Sequence, residues 1–249
     1  MSKGVLLFCF DTEKSKYHKI LRRCVTLIRK NLKLPMTVVT DLETFHKIGD
    51  IGHVNYKLVD PEQGNKKHGK PWLNVDRHLS YDLSPYDTTM VMDIDYFAFT
   101  DNLRQFLDTD YDFLVSRDAH DLTCGNEPPR DRFGLIDMVW ATILVFRKSP
   151  KAQIIFDAVK YVKKYYHHFT QLYRISARNY RNDYAFGIAL QQINGFLDYE
   201  VLPIRLPTLM PQCRVLKIDD HGLVWQHQDQ IQYTVDQDVH VLNKEVADV

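Results

Sequence analysis

Strand and helix patterns alternate over the first half of the chain, and several of the apolar strands stop on an aspartate. Gly4-Val-Leu-Leu-Phe-Cys-Phe10 is a continuous apolar run ending at Asp11-Thr12, the pattern of a strand buried on both faces. Ile20, Leu21, Cys24, Leu27 and Ile28 then recur at helical spacing, and Pro35 closes the connection to a second strand, Met36 to Thr40, which stops at Asp41. Val54 to Val59 reads as a third strand. Thr88 to Ile94, after the turn-like Ser84-Pro85-Tyr86-Asp87, reads as a fourth and runs into Asp93 and Asp95. This alternation calls for an α/β fold with a mostly parallel central sheet and helices on both faces, in which ligands sit beyond the carboxyl ends of the strands. One crevice is therefore expected to collect Asp11, Asp41 and the Asp93/Asp95 pair.

The remaining segments are placed in the same way. Pro61 to Lys70 reads as a loop carrying Lys66, Lys67, His68 and Lys70, and Pro71 as the first turn of a helix presenting Trp72, Val75 and Leu79. Thr100 or Asp101 can cap a short helix with Leu103, Phe106 and Leu107 inward, followed by a strand at Phe113 to Ser116 and an exposed loop over 121–135. Val139 to Phe146 is a further strand. Ser149-Pro150 starts a helix whose Ile155, Val159, Val162 and Tyr166 share a face, and a second helix runs from about Asn182 to Asn194 with Gly195 as its stop. A hairpin around Asp219-Asp220-His221-Gly222 and a last strand near Val239 complete the pattern, with no repeat, low-complexity tract or linker.

Charge and cysteine content narrow the function classes. The 249 residues carry 32 Lys plus Arg against 32 Asp plus Glu, so no global field recruits polyanions and anion binding must be local. Four cysteines, none in a C-x-x-C pair, fit reduced thiols in a cytosolic protein. No apolar run approaches the roughly 20 residues that cross a bilayer, and the amino terminus lacks the layout of a secretory signal. The expectation is a cytoplasmic protein without a membrane-spanning segment.

The most apolar stretch, Val91-Met-Asp-Ile-Asp-Tyr-Phe-Ala-Phe99, contains two carboxylates. Charges beside a core are costly unless compensated, and a bound cation compensates two that face the same way. On an extended backbone Asp93 and Asp95 leave from one face while Ile94 points to the other. Hard oxygen ligands favour Mg2+ or Mn2+, ions that enzymes commonly share with substrate phosphates. Asp-x-Asp also occurs by chance in solvated turns; here a buried strand delivers the pair to the crevice end of the sheet.

In order, "GVLLFCFDT", "GKPWLNVDRHLSYDLSPYDTTMVMDIDYFAFTDNL", "MVWATILVFRKSP", "NDYAFGIALQQI" and "DVHVLNK" resemble successive landmarks of the GT-A glycosyltransferases, most closely the branch of glycogenin and the bacterial lipopolysaccharide galactosyltransferases. The resemblance implies a single GT-A-like (Rossmann-like) domain over 1–249, with 1–100 as the nucleotide-binding half and 101–249 as the acceptor-binding half. It implies a metal site at Asp93, Asp95 and His240 for Mn2+ or Mg2+, and a nucleotide-sugar donor, a UDP-sugar. By the same resemblance Lys244 and Arg77 approach the diphosphate, Asp11 and Thr12 meet the nucleobase or ribose, and Asp183 and Asp118 face the donor sugar, with retention of anomeric configuration. Two landmarks depart from the family: its glycine and Lys-Pro-Trp after the histidine are absent, and its Asn-Ser-Gly reads Trp-Ala-Thr at 140–142. Simpler roles stand beside the implied ones: Asp11 as a helix cap, Asp183 as a favourable charge at a helix amino terminus and Arg77 as a solvated helix residue.

The segment "YVKKYYHHFTQLYRISARNYRND" mixes cations with tyrosines, a combination that suits phosphate backbones, stacked bases or sugars, or simply the solvated face of an amphipathic helix. The acceptor is expected to be a saccharide, with hydroxylated bases of modified DNA as the competing choice. Two other classes compete. A haloacid-dehalogenase-like Mg2+-dependent phosphohydrolase places its Asp-x-Asp on the first strand, whereas here it lies mid-chain. A binding module that keeps the fold without activity would share every motif above.

Overall fold

The computed structural model describes residues 1–13, 15–62, 64–67, 70, 71, 73, 76–125 and 135–249. In chain order β1 (Lys3–Phe8), α1 (Tyr17–Leu27), β2 (Met36–Thr40), α2 (Leu42–Ile48) and β3 (Val54–Leu58) are followed by the two-residue strands β4 (Lys66–Lys67) and β5 (Lys70–Pro71). A 3-10 turn at Asp76–Leu79 leads through α3 (Ser80–Leu83) into β6 (Thr88–Met92) and β7 (Tyr96–Phe97). A second 3-10 helix, Asn102–Asp108, precedes β8 (Phe113–Ser116), β9 (Asp118–Asp121) and β10 (Trp140–Arg147). The rest comprises α4 (Pro150–Lys164), α5 (Tyr166–Leu172), α6 (Asn182–Ile193), β11 (Arg205–Leu209), β12 (Arg214–Ile218), β13 (Gly222–His227), β14 (Gln230–Val235), β15 (Val239–Val241) and a 3-10 turn at Lys244–Asp248.

The central sheet has six strands in the order β3-β2-β1-β6-β10-β8. Strands β3, β2, β1 and β6 pair in parallel, and β10 alone runs antiparallel to both of its neighbours. Side-chain alternation along β1 explains why helices cover both faces. Val5, Leu7 and Cys9 face a core shared with α1, whereas Leu6, Phe8 and Phe10 face another built with α4 and α6. The chain order reverses between β2 and β6 on either side of β1, so the switch-point crevice opens beyond the ends of β1 and β6. A four-stranded sheet, β7-β15-β11-β9, and a three-stranded meander, β12-β13-β14, pack on the α1 face, where Trp225 of β13 lies buried.

Several expected elements are realised with local shifts. Asp41 caps α2 by accepting from the Thr44 N–H at 2.6 Å, and Ser149 caps α4 by accepting from the Ala152 N–H at 3.2 Å with Pro150 in its first turn. Gly195 follows α6 at φ +61. Tyr166 opens the separate helix α5 instead of extending α4, because the backbone leaves helical angles at Tyr165 (φ −114, ψ 29). In place of a helix from Pro71, the described helical turn begins at Asp76; Trp72 and Val75 lie outside the described residues, as do His68 and residues 126–134 of the expected loops. No described helix is long and apolar enough to cross a membrane.

Candidate metal centre

The buried β6 run, TTMVM, ends where the Asp93 N–H donates to the Thr142 carbonyl at 2.9 Å, so the antiparallel neighbour β10 anchors the first aspartate. The strand does not continue through the pair. Asp93 accepts from the Tyr96 N–H at 3.1 Å, closing a tight turn that buries Ile94 and leads into β7. Asp93 and Asp95 therefore converge through a turn and not by strand alternation, a correction to the extended geometry expected from their spacing. The turn is held from the far end of the chain: Val241 N–H donates to the Asp95 carbonyl at 2.8 Å, and β15 pairs with β7 so that His240 stands opposite Tyr96.

That pairing brings His240 to the carboxylates. Its Nε2 lies 3.4 Å from Asp95 Oδ1 and 3.9 Å from Asp93 Oδ2. One donor atom from each of Asp93, Asp95 and His240 lies within 4.8 Å of the others, and these three residues form a possible metal-binding group. The His240 ring is buried between Trp140, whose ring stands perpendicular at 6.3 Å, and Tyr96 at 6.5 Å. The other oxygen of each carboxylate is taken by a cation: Arg77 Nη2 contacts Asp93 Oδ1 and Lys244 Nζ contacts Asp95 Oδ2. Two negative and two positive side chains thus balance, each carboxylate keeping one oxygen toward the imidazole. Two hard oxygens and one imidazole nitrogen fit Mn2+ or Mg2+.

Arg77 lies in the 3-10 turn before β6 and is only 2% exposed, so it is a buried partner of Asp93 and not a solvated helix residue; its Nε has no hydrogen-bond partner among the described residues. Lys244 follows β15, in a turn capped by Asn243 Oδ1 accepting from the Glu245 N–H at 3.0 Å. Asp11 lies past the end of β1, where its carboxylate accepts from His18 N–H at 2.9 Å and meets His18 Nδ1 at 2.6 Å, close to the start of α1. Its own N–H donates to Thr44 Oγ1 at 2.9 Å. Thr12 Oγ1 accepts from the Ser15 N–H at 3.1 Å. Asp41, the cap of α2, does not join the cluster.

Asp183 enters from α6, its Oδ1 accepting from the Ala141 N–H at 3.0 Å, one residue from the Thr142 carbonyl that anchors Asp93. Asp118 begins β9, opposite Arg205. Neither is among the three residues that form the possible metal-binding group. Three neighbours escaped sequence reasoning as site residues. Trp140 packs on His240 with its indole N–H buried and without a hydrogen-bond partner among the described residues; the sequence marked it only as a departure from a motif. Burial raises the Tyr17 phenol, with the charge of Asp93 adding to the effect. Asp238, two residues before His240, accepts from Thr100 N–H at 2.8 Å, and burial pushes its carboxyl up to about 6.

Comparison with known proteins finds no matching family model and no matching curated protein. Among solved structures, the galactosyltransferase LgtC in complex with donor and acceptor sugar analogues is similar over 75% of this chain and 70% of its own, at 14% identity and a TM-score of 0.51. An active-site mutant of LgtC matches over 76% of this chain and 69% of its own, also at 14% identity and a TM-score of 0.51. With five strands of one sense, the reversed β10 and the acidic turn at the switch point, the chain has a GT-A, Rossmann-like fold, shared with the galactosyltransferase LgtC.

Proposed function

We propose that the protein is a metal-dependent glycosyltransferase that moves a sugar from a nucleotide donor, a UDP-sugar, to a saccharide hydroxyl with retention of configuration. The observation that carries this reading is the convergence of Asp93, Asp95 and His240 at the switch point of a GT-A sheet. Asp93 Oδ2, Asp95 Oδ1 and His240 Nε2 would hold Mn2+ or Mg2+. When bound, that cation supplies Lewis-acid neutralisation of the charge left on the departing diphosphate.

The chain's own groups do the rest. Lys244 and Arg77 bring positive charge to the diphosphate side of the cluster, Lys244 as a compact, mobile ammonium and Arg77 as a fixed fork. Asp11 and Thr12, ordered by His18 and Ser15, form the wall for ribose and base. Asp183, held against Ala141, and Asp118, at the start of β9, orient the donor sugar by accepting from its hydroxyls. Residues 1–100 supply the nucleotide half of the site and 101–249 the acceptor half.

The test is release of UDP from a panel of UDP-sugars with and without Mn2+. Turnover that needs the cation and disappears in Asp95→Asn, with the fold intact by circular dichroism, is the expected result. Phosphate release from sugar phosphates without any transfer would favour the phosphohydrolase, and tight donor binding with no turnover would indicate an inactive module.

A further inference from the structure

Away from the candidate metal centre, the sheet face covered by α4, α5 and α6 carries a second feature. Ile154 and Tyr161 on α4 lie seven residues apart on one stripe of the helix, Tyr165 follows just past its end, and the three are 58%, 58% and 42% exposed. The stripe continues through ring contacts. Tyr165 meets Tyr161 at 4.8 Å, Tyr161 meets Phe169 at 6.0 Å, Phe169 stacks on Tyr173 at 6.2 Å, and Tyr173 reaches Phe196 at 6.4 Å. Phe196, Leu197 and Leu172 are 60%, 74% and 52% exposed at the far end. Phe196 also holds a left-handed backbone, φ +62, a conformation a bulky aromatic adopts only under constraint, and there it displays its ring to solvent. Phe169, itself only 5% exposed, links the two exposed ends beneath the surface, and exposed apolar side chains gathered in this way on a folded chain mark a contact site.

The charge along the middle of the ridge points to the partner, with Asp157 and Asp198 exposed at its two ends. Residues 160–181 contain Lys160, Lys163, Lys164, Arg174, Arg178 and Arg181 and no acidic residue, in a chain whose formal charge is zero. Lys160 and Lys163 are engaged by carboxylates. Lys164, Arg174 and Arg178 are exposed, Lys164 standing 5.2 Å from the centre of the Tyr165 ring. Tyrosines with an apolar body and a polar tip, aliphatic side chains that need a dry environment, and long exposed cations in the same segment match the boundary of an anionic bilayer. A nucleic acid would use the cations and tyrosines but leave Ile154, Leu172 and Leu197 in water.

We propose that this aromatic and basic ridge seats the protein on an anionic lipid surface as a peripheral, non-spanning contact. The assignment stands apart from the transferase reading and is tested apart from it. The full chain is sedimented with vesicles of phosphatidylcholine alone and of equimolar phosphatidylcholine and phosphatidylglycerol, at low and high salt. Binding to the anionic vesicles only, weakened by salt, is expected. The double variant Tyr161→Gln with Phe196→Asn, chosen because glutamine suits a helix and asparagine a left-handed backbone, should lose at least about tenfold in vesicle affinity. Lys164→Glu with Arg178→Glu should lose as much. Unchanged thermal midpoints in both variants exclude misfolding as the cause. Failure to sediment with anionic vesicles, wild-type binding by both variants, or a shift of duplex DNA without vesicle binding would overturn the proposal. So would a dimer in sedimentation velocity that the same variants dissolve.

Discussion

Replacing Lys244 by methionine should strengthen cation binding while weakening nucleotide binding, because Lys244 occupies an oxygen of a carboxylate assigned to the cation. Its ammonium contacts Asp95 Oδ2, with side-chain exposures of 30% for the lysine and 9% for the aspartate. The pair is therefore largely, but not fully, removed from water. Two unit charges near 4 Å interact by about 4 kcal/mol at the effective dielectric of a protein surface, and the net worth of a hydrogen bond to a charged group is about 1.5–3 kcal/mol. Bringing a divalent cation to the same carboxylate must loosen that contact. At about 1.4 kcal/mol per decade, Lys244→Met should tighten Mn2+ alone about tenfold. The diphosphate loses its mobile cation in the same variant, so UDP affinity in saturating Mn2+ should fall by a similar factor. The free Mn2+ signal in electron paramagnetic resonance reads the first effect, and titration calorimetry with UDP reads the second. A variant that binds Mn2+ no tighter than the wild type would refute the charge exchange.

Other outcomes follow from packing and burial. Of the four cysteines, Cys9, Cys24 and Cys213 are buried and burial raises each of their thiols, whereas Cys124 is exposed. A colorimetric thiol reagent should accordingly titrate one group rapidly in the native protein and all four only in denaturant. Gly187 lies on the buried side of α6, where an added Cβ would stand 2.5 Å from the Asp137 carbonyl oxygen. Gly187→Ala should lower stability by about 1–2 kcal/mol, the overpacking outweighing the helix-propensity gain, and urea unfolding would measure it.

The architecture was legible wherever burial on both faces writes a continuous apolar run: β1, β2 and β6 stand where periodicity puts them, and the split of β1 side chains between two cores is the alternation itself. Strands β9 and β11 left no such mark. Arg205–Leu209 contains Pro207 and mixes exposed with buried positions, because its sheet packs on only one side of the domain. The tail hairpin was visible in its turn residues, but not the third strand, β14, which is almost wholly exposed. At the site, the residue types of the Asp-x-Asp pair signalled hard-cation chemistry, yet their convergence depends on a turn and on β15 pairing with β7, a contact between distant parts of the chain that no local pattern encodes. The burial of Arg77 against Asp93 and of Trp140 against His240 was obscure for the same reason: tertiary packing sets it.

The central claim is that Asp93, Asp95 and His240 jointly bind a divalent cation. Manganese-soaked crystals in the presence of UDP test it most directly, by anomalous scattering at the manganese edge. A peak within coordination distance of Asp93 Oδ2, Asp95 Oδ1 and His240 Nε2, absent in Asp93→Asn/Asp95→Asn, is predicted. A well-ordered nucleotide with no anomalous peak beside those three residues would contradict it.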